Sequence, residues 1–167
     1  MIVMGAAGAG KSTVGAALAA ALGWPFIDAD AFHTADAVAR MRGGFGLTDE
    51  DRGPWLIRVR DAMRARSGEP CVVACSALKR SYRDVLTDGV ANAHFVYLQA
   101  HEALLKARLM SRQDHFAGPA LAETQLRDLE APVDDALIVD ASLPPDVLVD
   151  QIRRGLKLDA PELRTKN

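Results

Sequence analysis

Residues 5–12 read Gly-Ala-Ala-Gly-Ala-Gly-Lys-Ser. They follow the apolar run Ile2-Val3-Met4 and precede Ser12 to Leu22, where small and apolar residues recur at helical spacing until Gly23. A strand running through a glycine-rich loop into a helix leaves few folds open, and here every fixed position of G-x-x-x-x-G-K-[ST] is met. Glycines let the backbone wrap closely around an anion, while successive amides and the helix N-terminus supply positive potential. A lysine at such a turn has no packing rationale. The loop is therefore expected to hold nucleotide phosphates through Gly5, Ala6, Ala7, Gly8, Ala9, Gly10, Lys11, Ser12 and Thr13. Lys11 would reach the β- and γ-phosphates and the Ser12 hydroxyl would ligate Mg²⁺, so ATP with Mg²⁺ is the expected ligand. Thr13 has the same ligand type, but Ser12 holds the motif position.

The remaining pattern extends that unit. Trp24-Pro25-Phe26-Ile27-Asp28 reads as a second strand, followed by a helix over Thr34 to Met41 and a loop at Gly43-Gly44-Phe45-Gly46. A helix from about Pro54 to Arg66 is predicted, with proline in its first turn and Asp51 or its neighbours as cap. Cys71 to Cys75, Phe95 to Leu98 and Leu137 to Val139 are apolar strands separated by helical patterns near 77–87, 101–112 and 121–130, with a last amphipathic helix over 146–157. Continuous apolar strands alternating with helices imply a parallel sheet covered on both faces. The expectation is an α/β fold of P-loop type: three layers, α/β/α, with a five-stranded parallel sheet. Ligands should then lie outside the carboxyl ends of the strands. A length of 167 residues fits one domain over 1–167, and the tail from Asp159 is expected to be loosely ordered.

A formal charge of −2 gives no global case for nucleic acid or an anionic membrane, so an anionic ligand must be held locally. Cys71 and Cys75 are four apart in a strand, about 13 Å between Cα atoms, which is beyond disulfide reach. They read as buried thiols of a reducing compartment. The early Ala- and Leu-rich stretch lacks the charge order of a secretory signal, since Lys11 follows the glycine turn. A cytoplasmic protein is expected.

The acceptor side is read from acids and bases. Asp28 and Asp30 stand two apart at the end of the second strand, where period-2 geometry would point both to one side. Phosphoryl transfer to a hydroxyl needs a carboxylate to take the alcohol proton and another to help hold metal-bound water. Asp30 is assigned to the acceptor hydroxyl and Asp28 to the magnesium shell. His33, Arg52 and the cluster Lys79-Arg80-Ser81-Tyr82-Arg83 are expected at loops and helix starts, and an arginine fork suits a substrate carboxylate. Arg108 and Arg112 share a helical face just before the loop 113–119, where a closing lid would place arginines over the transferring phosphoryl group and the adenine.

These residues resemble the small P-loop gluconokinases, relatives of shikimate kinase and the nucleoside monophosphate kinases. The likeness rests on Gly23-Trp-Pro-Phe-Ile27, Asp30-Ala-Phe-His33, Leu47-Thr-Asp-Glu-Asp-Arg-Gly-Pro-Trp55, Cys75-Ser-Ala-Leu-Lys-Arg-Ser-Tyr-Arg-Asp84 and Phe95-Val-Tyr-Leu98. Arg112 with His115-Phe116, and Gln125 with Leu129-Glu-Ala-Pro132, add to it. Together with the phosphate loop, these blocks cover most of residues 1–140.

The resemblance implies transfer of the ATP γ-phosphoryl group to the terminal hydroxyl of D-gluconate in a cytoplasmic, commonly dimeric enzyme. It makes Asp30, His33, Arg52, Lys79, Arg83 and Gln125 candidates around gluconate. It makes Lys11, Asp30 and Arg112 catalytic candidates and Arg108 a nucleotide-binding one. An acceptor-binding segment at about 30–66 and a lid at about 112–124 follow from it. The chain departs from the family pattern at Ala29, at Thr34 and in Arg42-Gly-Gly-Phe-Gly46.

Two rivals stand beside this reading: a kinase of another small polyol acid such as shikimate, using the same Asp30 and Arg52, and a non-catalytic ATP-binding regulator. Asp28, Asp30 and Lys11 count against the regulator.

Overall fold

The computed structural model describes residues 1–66, 68–111, 119–132 and 134–158. Strands β1 (Ile2–Met4), β2 (Phe26–Asp28), β3 (Val72–Ala74), β4 (Phe95–Gln99) and β5 (Ala136–Asp140) form one sheet in the order β2-β3-β1-β4-β5. Each paired strand runs parallel to its neighbour. Helices α1 (Lys11–Leu22), α2 (Ala35–Arg42), α3 (Asp49–Arg64), α4 (Arg80–Thr87), α5 (Glu102–Met110), α6 (Pro119–Asp128) and α7 (Pro145–Gly155) fill the connections. This is the P-loop α/β/α arrangement expected from the sequence.

Strand alternation divides the core in two. Val3, Val72, Val96 and Leu98 pack to one face with Val14 and Leu18 of α1, Leu105 of α5 and Leu148 and Ile152 of α7. Ile2, Met4, Val73, Phe95 and Tyr97 pack to the other with Trp55, Leu56 and Val59 of α3 and Leu86 of α4. Because successive side chains point to opposite faces, apolar residues in unbroken runs are what a sheet covered on both sides needs. Leu18 is fully buried, and truncating such a residue to alanine costs about 2–5 kcal/mol. Cys71 and Cys75 are buried free thiols, and burial pushes the Cys75 thiol up to about 12.

Two local expectations are corrected. Helix α3 begins at Asp49, not near Pro54. Thr48 caps it: its hydroxyl accepts from Asp51 N while the Asp51 carboxylate accepts from Thr48 N, a reciprocal capping box that fixes the start upstream of the proline. Pro54 then sits inside the helix, where it omits one amide donor and its ring crowds the Glu50 carbonyl. The second correction concerns Asp28 and Asp30. Strand β2 ends at Asp28, and Ala29–Phe32 form a 3-10 turn, so the two carboxylates do not share a strand face. Asp28 caps that turn by accepting from Asp30 N at 3.0 Å.

The departures from the family pattern have local roles. Thr34 caps α2 through its hydroxyl, and Ala29 is fully buried under α3, its carbonyl taken by Trp55 Nε1 at 2.7 Å. The tail from Asp159 lies outside the described residues.

Candidate active site

Strand order brings the site together. With β1 between β3 and β4, and β2 outside β3, three segments leave the sheet side by side at its carboxyl edge. They are the phosphate loop after β1, the Asp28–His33 turn after β2 and the Cys75–Lys79 turn after β3. Asp30, Lys11 and Arg52, residues assigned to acceptor and donor, all act electrostatically on the buried Cys75 thiol.

In the phosphate loop, Gly8 and Gly10 take φ of 87° and 96°, in the left-handed region that favours glycine. A Cβ at Gly8 would also come within 2.9 Å of the Leu105 carbonyl oxygen. Lys11 Nζ donates to Ala6 O at 3.0 Å, reaching back across the loop. Ser12 and Thr13 are exposed at the start of α1.

Arg108, from α5, grips the loop from behind. Its Nη1 donates to Ala9 O at 3.3 Å and Gly8 O at 3.5 Å, and its Nη2 to Ala141 O at 2.8 Å. It also borders a hollow of about 250 Å³ shared with Gly10, Thr13, Ala141, Leu143 and Pro145. Arg112 and residues 113–118 of the expected lid lie outside the described residues; residues 119–124 belong to α6.

On the acceptor side, His33 stacks on Trp55, ring centroids 4.4 Å apart and planes inclined by 12°. Its Nε2 stands 3.8 Å from Asp30 Oδ1, and its buried Nδ1 has no hydrogen-bond partner among the described residues. Burial holds the imidazole below its ordinary pKa, partly opposed by Asp30. Arg58 donates twice to Phe32 O, at 3.1 and 3.0 Å, fixing the end of the same turn.

Arg52 is only 4% exposed. Its Nε donates to Leu47 O at 3.2 Å, its guanidinium carbon stands 5.6 Å from the Tyr82 ring centre, and among the described residues no carboxylate forms an ion pair with it. Lys79 Nζ binds both oxygens of Asp49, at 2.7 and 2.9 Å, and Tyr82 OH donates to the same carboxylate. Lys79 and Tyr82 hold Asp49 below the usual carboxylate range, and Asp49 in turn raises Lys79.

Two expected acceptor residues are placed elsewhere. Arg83 is buried, with Nη1 donating to Ala77 O and Leu78 O at 3.1 and 3.2 Å. It therefore braces the turn that carries Lys79, a turn in which Ala77 has a φ of 45°. Its side chain lines a separate hollow with Asp84, Phe95 and Asp135; Phe95 opens β4, so this hollow lies toward the amino ends of the strands. Gln125 of α6 is buried and accepts from Ala7 N at 2.7 Å, which puts it on the phosphate loop.

Asp49 and Trp55, which the sequence did not single out, stand beside Tyr82 of the Lys79–Arg83 cluster and His33 respectively. Positions 49, 52 and 55 recur every third residue, one face of a helix. That signal is visible only once α3 is known to start at Asp49.

The model of the shikimate kinase family matches residues 7–142. A gluconokinase from Gluconobacter oxydans (strain 621H) is 40% identical over 163 residues, covering 95% of this chain and 92% of that protein. The chain belongs to the gluconokinase family. The crystal structure of a gluconokinase from Sinorhizobium meliloti 1021 matches with a TM-score of 0.82 and 42% identity, covering 97% of this chain and 93% of that one. An unliganded sugar kinase from Janibacter sp. HTCC2649 matches with a TM-score of 0.87 and 38% identity, covering 95% and 94%. Gluconokinases are kinases, so the family also accounts for the phosphate loop.

The described residues fit Mg²⁺ as a partner of bound phosphates, not as a metal held by protein alone. Among the described residues no group of three or more His, Cys, Asp or Glu side chains could hold a metal ion. Magnesium in kinase sites takes one or two protein oxygens and completes its shell with phosphate and water. The exposed Ser12 hydroxyl, and the Asp28 carboxylate with only Oδ1 engaged among the described residues, fit that donor set.

Proposed function

We propose that this protein transfers the γ-phosphoryl group of ATP to the terminal hydroxyl of D-gluconate, giving 6-phosphogluconate and ADP. The observation that carries the acceptor assignment is Arg52, a buried guanidinium with no carboxylate partner among the described residues, in electrostatic reach of His33 and of the Cys75 thiol that also senses Asp30 and Lys11. A desolvated cation beside a kinase pocket is matched by an anionic acceptor, and an arginine fork suits a carboxylate.

In this reading the phosphates lie along the amides of Gly8 to Thr13, and Lys11 exchanges its Ala6 contact for phosphate oxygens. The adenine enters the hollow between Arg108, Leu143 and Pro145. Asp30 takes the proton of the attacking hydroxyl, held in place by the Asp28 cap and flanked by neutral His33. Arg52 grips the carboxylate, with Lys79 at the pocket mouth. Arg112 and the segment 112–124 close over the phosphoryl group. Bound Mg²⁺, held by Ser12 and Asp28, would neutralise phosphate charge. We extend the reading to a single kinase unit over 1–167 acting as a homodimer in the cytoplasm.

A coupled ADP-release assay across gluconate, related aldonates and shikimate tests the assignment. Turnover of gluconate well above the others is expected. Turnover of shikimate without gluconate would leave the kinase class and replace the acceptor, whereas nucleotide binding without any turnover would favour the regulator.

A further inference from the structure

Two cations approach the Tyr82 ring. The Arg52 guanidinium carbon stands 5.6 Å and Lys79 Nζ 5.5 Å from its ring centre, and its hydroxyl donates to Asp49. Asp49 opens α3, Lys79 caps α4, and Arg52 follows Asp49 one turn later on the same helix. The Asp49 carboxylate is 63% exposed, yet two side chains from another element fix it. Each carboxylate oxygen can accept about two hydrogen bonds. Oδ1 takes Lys79 and Tyr82, while Oδ2 takes only Lys79 among the described residues.

We propose that Asp49, held by Lys79 and Tyr82, is a specificity-determining residue that reads a hydroxyl group of the polyol chain of the acceptor. The inference rests on the acceptor reading above. An exposed pair linking two helix starts would be worth little as a staple. As a binding element it has the right chemistry. A carboxylate is an acceptor-only group that selects a hydroxyl donor, and its rotamer is fixed before the acceptor arrives. Pairing with Lys79 cancels its formal charge, so it can stand near Arg52 without repelling the carboxylate that Arg52 binds. The Lys79 ammonium keeps a further N–H for a second hydroxyl. Arg52 then recognises the acid end, and Asp49 the hydroxylated chain that an unsubstituted carboxylic acid lacks.

The test uses the full chain, wild type and Asp49→Asn, with steady-state kinetics on gluconate and its monodeoxy analogues at saturating ATP, beside thermal melts. Asparagine keeps the size but weakens the acceptor. The KM for gluconate should rise about tenfold, as expected for one hydrogen bond to a charged group, while the KM for ATP moves less than twofold. One deoxy analogue should lose about tenfold in kcat/KM with the wild type and less than threefold with the variant. Tyr82→Phe, which removes one bond that fixes the carboxylate, should raise the gluconate KM by a smaller factor.

An unchanged gluconate KM with a lowered Tm would make the triad a structural tie and overturn the proposal. So would equal losses for every deoxy analogue in both proteins. Failure of the wild type to phosphorylate gluconate would instead overturn the acceptor reading itself, and the inference with it.

Discussion

Asp30 and His33 stand three residues apart, on one short turn and its C-cap, and have opposite needs. The carboxylate must stay ionised to take a proton, and the imidazole is buried against Trp55 with one nitrogen unpartnered among the described residues. Asp30→Asn should lower kcat by about 10²–10⁴-fold, the usual worth of a general base, and leave the KM for ATP within a few-fold; unchanged turnover would remove Asp30 from its role.

For His33 the folded pKa lies below the ordinary value of 6.5, driven first by burial, lowered further by Arg52 and Arg58 and opposed by Asp30 and Asp28. The unfolded chain then binds more protons as pH drops through that value, so His33 contributes stability that is present above it and lost below it. Between pH 7 and pH 5.5 the wild type should lose Tm faster than His33→Gln. Parallel melting curves would show that the imidazole is not buried as described. Asp30 and His33 were both legible in the sequence from their places after β2, but their relation was not. Period 2 applies only within a strand, and the Asp28 side chain turns the chain into a 3-10 bend one residue too early.

At the scale of elements, α6 reaches in several directions. Gln125 binds the phosphate loop, Glu123 pairs with Lys106 of α5, and a Cβ on Gly46 would come within 3.2 Å of Thr124 Cγ2. Sequence reading placed a helix here and marked Gln125, yet assigned it to the acceptor, because a motif block gives no direction to a side chain. Geometry puts it against the Ala7 amide of the phosphate loop.

Gln125→Leu leaves the Ala7 amide buried without its acceptor, a cost of about 1–3 kcal/mol. The KM for ATP should rise by about tenfold or more, and that for gluconate much less. Gln125→Glu restores the acceptor, and so the Tm, but puts negative charge beside the phosphates and should keep the ATP KM high. A rise confined to gluconate would return Gln125 to the acceptor. Helix α3 teaches the complementary lesson. Pro54 dominated its sequence reading, whereas the Thr48–Asp51 capping box sets its start and so aligns Asp49, Arg52 and Trp55. The strands were the most legible elements, since unbroken apolar runs between breakers have few other uses in a parallel sheet.

At the scale of the whole molecule, donor and acceptor residues meet at one edge of the sheet but belong to different segments, so their contributions to ligand binding should separate. Arg108 ties the phosphate loop to the residue after β5, and Lys11 ties the loop to itself. Nucleotide binding should therefore stabilise the fold as a unit. At one hundred times its Kd a ligand that binds only the native state adds about 2.7 kcal/mol. For a domain of this size that corresponds to a Tm rise of roughly 5–10 °C. A non-hydrolysable ATP analogue with Mg²⁺ should produce this rise in the wild type and in Asp30→Asn alike, since Asp30 acts on the acceptor. In Lys11→Ala the rise at the same ligand concentration should shrink to a small fraction, because the phosphates lose their cation while the adenine hollow is intact. Loss of the rise in Asp30→Asn would merge the two subsites and undo the division of labour drawn from the strand order. A full rise in Lys11→Ala would show that the phosphate loop is not where the nucleotide is held.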